Sequence, residues 1–149
     1  MLFQRINRSD PEKVFLVVKN GYSTAALTNG QCVAWKYASG GDGVQVTLAG
    51  AETSHMGFAA AGVVAETIAI GGYGLLQVYG YHSETRVRKH TEKEVVPGAP
   101  LRLSADGSVF ALEAARTEST VTITYPCAFA LEAQASWTTK TIAVFIKAL

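Results

Sequence analysis

Glycine placement between Gly57 and Tyr81 limits this chain more than any other feature. The stretch reads G-F-A-A-A-G-V-V-A-E-T-I-A-I-G-G-Y-G-L-L-Q-V-Y-G-Y. Gly71, Gly72, Gly74 and Gly80 would each cost a helix about 1 kcal/mol against alanine, so a helix is disfavoured. The run Gly62-Val63-Val64-Ala65 predicts a short buried strand. Gly71-Gly72 predicts a turn, and Tyr73 to His82 a long strand. Side chains alternate faces in a strand. Leu75, Gln77, Tyr79 and Tyr81 therefore share one face, and Leu76, Val78, Gly80 and His82 the other. Both faces are semi-apolar, as in a strand covered on both sides. Gly80 inside the pattern predicts a bulge or a close backbone approach. Gly71, Gly72, Gly74 and Gly80 are the glycines expected to shape the turn structure here.

The rest of the chain carries the same signature of short strands and turns. Val14 to Val18 is an apolar run closed by Asn20-Gly21, a pair that favours a tight turn. Asn29-Gly30 repeats the signal. Cys32 to Ala38 reads as a strand with Val33, Trp35 and Tyr37 on one face. Val44 to Leu48 alternates and predicts a half-exposed antiparallel strand. Residues 51–66 are rich in alanine, but Gly57 and Gly62 favour a loop before the short strand. Glu84 to Glu94 mixes charges of both signs, which predicts a solvated face with His82 and His90 on the surface. Pro97-Gly98 and Asp106-Gly107 predict turns around a strand at Leu101 to Leu103. Phe110 to Ala114 and Phe129 to Ala133 spell the same five letters, F-A-L-E-A, and both read as strands. Thr120 to Tyr125 alternates cleanly. Thr138 to Leu149 predicts a last strand held inside a sheet. The expected fold is all-β: a compact antiparallel sandwich or barrel with little helix. Residues 1–13 form an N-terminal arm and 14–149 a single β domain. In the arm, Phe3 and Ile6 are apolar among Arg5 and Arg8, so these four are the candidate partner contacts.

Composition narrows the function classes. The chain has 149 residues, with 48% hydrophobic, 17% charged and a net charge of +1. That size folds on a core of its own, and the balance is not the footprint of a nucleic-acid binder. Cys32 and Cys127 stand outside any CxxC or metal spacing and read as two buried free thiols. The polar opening M-L-F-Q-R-I-N-R-S-D-P lacks a signal-peptide core. No run approaches the roughly 20 apolar residues of a membrane span. The expectation is a protein kept or assembled in the cytoplasm, without a membrane partner. Ser54, His55 and Asp42 make no triad pattern, and no G-x-S-x-G elbow exists. Gly71-Gly72-Tyr73-Gly74 lacks the Lys-Ser/Thr of a phosphate loop. No catalytic residue, cofactor or metal ligand is assigned, and the chain is not expected to be an enzyme.

A family resemblance goes further. Gly62-Val63-Val64-Ala65, Ile68-Ala69, Gly71, Tyr73-Gly74, Gln77-Val78 and Gly80 resemble a core motif of tailed-bacteriophage head decoration, or cement, proteins. Gly98-Ala99-Pro100-Leu101, Ala130 to Ala133 and Val144 to Leu149 are similar to its later segments. The likeness covers about residues 57–149, and the first 56 match less clearly. It implies a compact β protein, often a homotrimer. Such a protein sits on the outer capsid of the virion near three-fold positions and clamps neighbouring subunits of the major capsid protein. Clamping needs buried area shared among subunits and no chemistry. Two other readings compete. A glycan-binding β module would use Trp35, Tyr37, Tyr79, Tyr81 or Trp137 as stacking platforms. A small trimeric β enzyme would need phosphate motifs that the sequence lacks.

Overall fold

The computed structural model describes residues 12–37, 41–48, 60–89, 94–104, 111–114 and 126–148. Nine strands are formed among them: β1 (Lys13–Asn20), β2 (Cys32–Trp35), β3 (Gln45–Thr47), β4 (Ala60–Val64), β5 (Tyr73–Arg88), β6 (Pro100–Leu103), β7 (Leu112–Ala114), β8 (Ala128–Ala130) and β9 (Lys140–Lys147). The all-β expectation holds. All nine strands belong to one sheet of order β1-β3-β2-β4-β5-β7-β6-β8-β9, in which β1 and β9 both pair with β5 as well. Those extra pairings close two five-stranded circuits, β1-β3-β2-β4-β5 and β5-β7-β6-β8-β9, with β5 common to both. Two pairings are parallel, β1 with β3 and β5 with β7, which departs from a purely antiparallel sheet.

The two circuits are one topology used twice. In each, the first strand runs antiparallel to the last and parallel to the third. In each, the second strand is flanked by the third and fourth, and the fourth pairs with the last. The first half carries an isolated bridge from Leu27 to Ile68, and the second a bridge from Val95 to Gln134. After each opening bridge residue comes the same turn. Gln31 N–H donates to Thr28 O at 3.2 Å, and Ala99 N–H to Val96 O at 2.9 Å. Gly30 and Gly98 sit in these turns at φ 79° and 83°. Each half has its own core. Val18, Val33, Val46, Val64, Leu76 and Val78 pack in the first. Val87, Leu101, Leu103, Leu112, Val144 and Ile146 pack in the second.

The halves meet through β5, whose 16 residues serve as last strand of one and first strand of the other. The sequence suggests a strand from Tyr73 to His82; it runs on to Arg88. The charged stretch after Glu84 is therefore not a free solvated face, since Thr85 and Val87 are wholly buried. Charge spacing concealed this, because Glu84, Arg86 and Arg88 alternate with the buried pair. Gly80 lies inside β5 at φ 100°, where a Cβ would collide with the Glu12 carbonyl oxygen. It is a close approach within the strand and not a turn residue. Gly74 is also a strand residue, packed against the Ile68 side chain. Gly71 and Gly72 do form the turn, closed by Gly72 N–H to Ala69 O at 2.9 Å.

Other expectations are corrected in the same way. Asn20-Gly21 is no hairpin. Asn20 is the buried last residue of β1, and its side-chain amide donates to Ala25 O and Ile68 O, both at 3.1 Å. β3 is largely buried and not half-exposed, because β1 and β2 flank it. The F-A-L-E-A echo does not mark the repeat. Leu112 starts the third strand of the second half, whereas β8 is its fourth and stops at Ala130. Phe3, Arg5, Ile6 and Arg8 lie outside the described residues, as do His90 and Thr120 to Tyr125.

Candidate docking surface

β1 and the start of β5 make an antiparallel ribbon with Phe15 opposite Gln77, Val17 opposite Leu75 and Lys19 opposite Tyr73. Residues paired in this way share a face. Val18, one step away, belongs to the first core, so Phe15, Val17, Leu75 and Tyr73 point outward. They are exposed by 42%, 65%, 38% and 65%. Lys13 and Lys19 lie at the two ends of the β1 row, and the Lys19 ammonium stands 6.0 Å from the centre of the Tyr73 ring. Four large apolar side chains side by side, framed by lysines, form the kind of patch that marks an interaction site.

The second half shows that the fold does not require this patch. In the first half, inward Val18 pairs with Gly74, and outward Lys19 with Tyr73. In the second half, inward Thr85 pairs with Ile142, and outward Arg86 with Thr141. The counterparts of Val17 and Leu75 are Glu84 and Ala143. The same backbone positions thus carry Glu84, Arg86 and Thr141 with a buried Ala143 in one half, and an open apolar patch in the other.

A recess of about 300 Å³ opens beside the ribbon, lined by Lys13, Phe15, Glu66, Leu75, Gln77 and His82 among others. Glu66, Gln77 and His82 in this lining have bonds within the protein. A Glu66 carboxylate oxygen accepts from Leu75 N–H at 2.9 Å. The buried Gln77 amide donates to Tyr79 O and Tyr81 O at 3.2 and 3.0 Å. His82 is buried, against the expectation of a surface histidine, since β9 pairs alongside it. Its Nδ1 accepts from Glu84 N–H at 3.3 Å and lies 3.0 Å from Thr85 Oγ1. Burial, and then the charge of Lys13, hold its pKa below the usual imidazole value, while Glu84 opposes them. Among the described residues, no group of three or more His, Cys, Asp or Glu could hold a metal. Cys32 and Cys127 are free and buried, as expected. Burial pushes the Cys127 thiol up to about 12, and Cys32 also well up, with Cys127 nearby adding to the effect. What this surface offers is contact area rimmed by charged side chains, Lys13, Lys19 and Glu66.

No protein-family model matches the chain, and no curated protein matches it in sequence. Among solved structures, it is similar to the head fiber gp8.5 N base of bacteriophage phi29. That similarity has 9% identity and a TM-score of 0.48, over 91% of this chain and 96% of that one.

Proposed function

We propose that this chain is a structural virion protein that decorates the outer surface of a bacteriophage capsid. It stabilises the shell by bridging neighbouring subunits of the major capsid protein. The observation that carries the reading is the apolar ribbon of Phe15, Val17, Tyr73 and Leu75, which the fold does not demand. Fully covering such side chains is worth about 1.5–3 kcal/mol each, enough for a stable contact once several copies engage one shell. The motif from Gly62 to Gly80, which resembles that of head decoration proteins, supplies the nature of the partner.

Co-sedimentation with phage heads from the same source tests the proposal. The wild-type chain is expected to pellet with heads, and Val17→Glu to remain in the supernatant while staying folded. Failure of the wild type to bind heads, or undiminished binding by Val17→Glu, would overturn it. Retention on a glycan array without head binding would favour a carbohydrate module. The N-terminal arm is tested separately. Because β1 begins at Lys13, the informative deletion is of residues 1–11. It is expected to weaken attachment and leave the fold intact, and undiminished occupancy on heads would remove Phe3, Arg5, Ile6 and Arg8 from the contact.

A further inference from the structure

β5 passes from one half to the other between Gly80 and Val87. Gly80 pairs with Lys13 on one edge and Ile146 on the other, and Val87 with Leu112 and Lys140. β9 therefore holds one edge throughout. The other edge is given up by β1 at Gly80 and taken up by β7 at Val87. The pairing with β9 also slips here. His82 pairs with Val144 and Thr85 with Ile142, so Ser83 and Glu84 share one place opposite Ala143. An extra residue of this kind breaks the ladder locally, and the N–H groups around it take other acceptors. Arg86 N–H donates to Gly30 O at 2.9 Å. Glu84 N–H donates to Nδ1 of His82 at 3.3 Å. The bulge between the halves is thus closed by an imidazole, on a side chain only 8% exposed.

A ring nitrogen that accepts from an N–H carries no proton, so the neutral ring holds its hydrogen on Nε2. The Thr85 hydroxyl, 3.0 Å from Nδ1, can donate or accept, whereas the Glu84 amide can only donate. A proton added to Nδ1 therefore sets two donors against each other. We propose that His82 is a proton-sensitive latch at the junction of the halves: acidification removes the acceptor that closes the β5 bulge, and the junction opens while both cores stay folded. The recess of about 300 Å³, with His82 and Ser83 in its lining, gives the displaced ring room to move. Among the described residues, the charged groups around the ring come from three elements. Lys13 of β1 opposes the added charge, and Glu84 of β5 favours it. Glu66, from the connection between β4 and β5, lines the same recess. Val144, the partner in β9, is apolar, and Asn29 in the lining is neutral. Phe15 and Leu75 line the recess too, so the latch stands beside the ribbon without depending on what the ribbon binds.

Amide hydrogen exchange of the purified full chain at pH 7.5 and pH 5.0, read by NMR with the ring titration followed on the same sample, tests this. The reference amides are Val64, which donates to Gln31 O, and Ala130, which donates to Ala99 O, one from each half. Protection of Glu84 and Arg86 is expected to fall at least about tenfold more than that of the references, the scale of a hydrogen bond left unmade. The fall is expected to follow the half-protonation point of the His82 ring. In His82→Asn, the side-chain oxygen can accept from Glu84 N–H at either pH, and the extra fall is expected to vanish. Equal changes at all four amides would overturn the inference. So would an unprotected Glu84 amide at pH 7.5, a ring still neutral at pH 5.0, or an extra fall that persists in His82→Asn. The wild-type profile decides the matter even if the variant does not fold, and head binding is read in a different assay.

Discussion

Gly30 and Gly98 hold the same place in the two halves, one after each opening bridge and both at positive φ. Their surroundings differ. A Cβ on Gly30 would strike the Glu84 carbonyl oxygen, whereas one on Gly98 would meet nothing within 4 Å. The first turn is wedged against β5, where Arg86 N–H donates to Gly30 O at 2.9 Å. Among the described residues, no strand is wedged against the second turn. The difference shows how a chain made of two like halves becomes one body: the first half carries internal contacts at a position that, among the described residues, the second half leaves open. The outer ribbons differ the other way. There the first half is apolar and open, and the second is polar at Glu84, Arg86 and Thr141.

The largest expected effect comes from breaking the turn comparison. Gly98→Ala should cost about 1–2 kcal/mol, the penalty of a left-handed conformation with a side chain. Gly30→Ala adds a collision with backbone that cannot swing aside. It should cost more than about 4 kcal/mol, near the whole stability of a small domain. Urea denaturation of both variants checks this. Equal losses would mean that the two turns are not packed differently.

Next in size is the ribbon comparison. Val17→Glu with Tyr73→Thr gives the first half the outer residues of the second. Surface changes of this kind move stability by about 0.5 kcal/mol or less. Head binding should fall at least about tenfold, a loss of about 1.4 kcal/mol. Denaturation and co-sedimentation on the same sample separate the two. A large stability loss with binding intact would show that the apolar ribbon serves the fold.

Much of the architecture was legible because period-two patterns and glycine turns are local. Val33 and Trp35 facing one core, the Pro97-Gly98 turn and the enclosed last strand follow from neighbouring letters. The duplication was not legible, because it lies in pairing order and not in residue identity. Leu27 corresponds to Val95, and Ile68 to Gln134, a polar residue whose buried amide donates to Val87 O at 3.3 Å and Thr138 O at 3.1 Å. The one repeated string, F-A-L-E-A, falls on strands that are not counterparts. The docking ribbon was hidden for a related reason. Phe15, Val17 and Leu75 look like core residues, and only the pairing of β1 with β5 shows which face each takes. The signal that could have found it is the contrast between V-F-L-V-V in β1 and the charged end of β5.

His82 offers the finest test of the comparison. Val144 pairs with His82, and its counterpart Leu76 pairs with Leu16, so an imidazole in the second half stands where the first half has an apolar side chain. The folded pKa of His82 lies below its usual value, with burial the main cause and Lys13 the second. A proton then binds the unfolded chain more readily than the folded one. The stability owed to the neutral ring is complete above about pH 6.5, the unfolded value, and is lost as the pH falls below it toward the folded pKa. His82→Leu restores the first half's chemistry and removes this dependence. It should be slightly less stable than wild type at pH 8, because the Thr85 hydroxyl, 3.0 Å from Nδ1, loses that partner. Denaturation at pH 8 and pH 5.5 should show a larger drop for wild type than for His82→Leu. Parallel losses in the two proteins would mean that His82 takes up its proton equally well folded and unfolded, and that the enclosure by β9 does not exclude its charge.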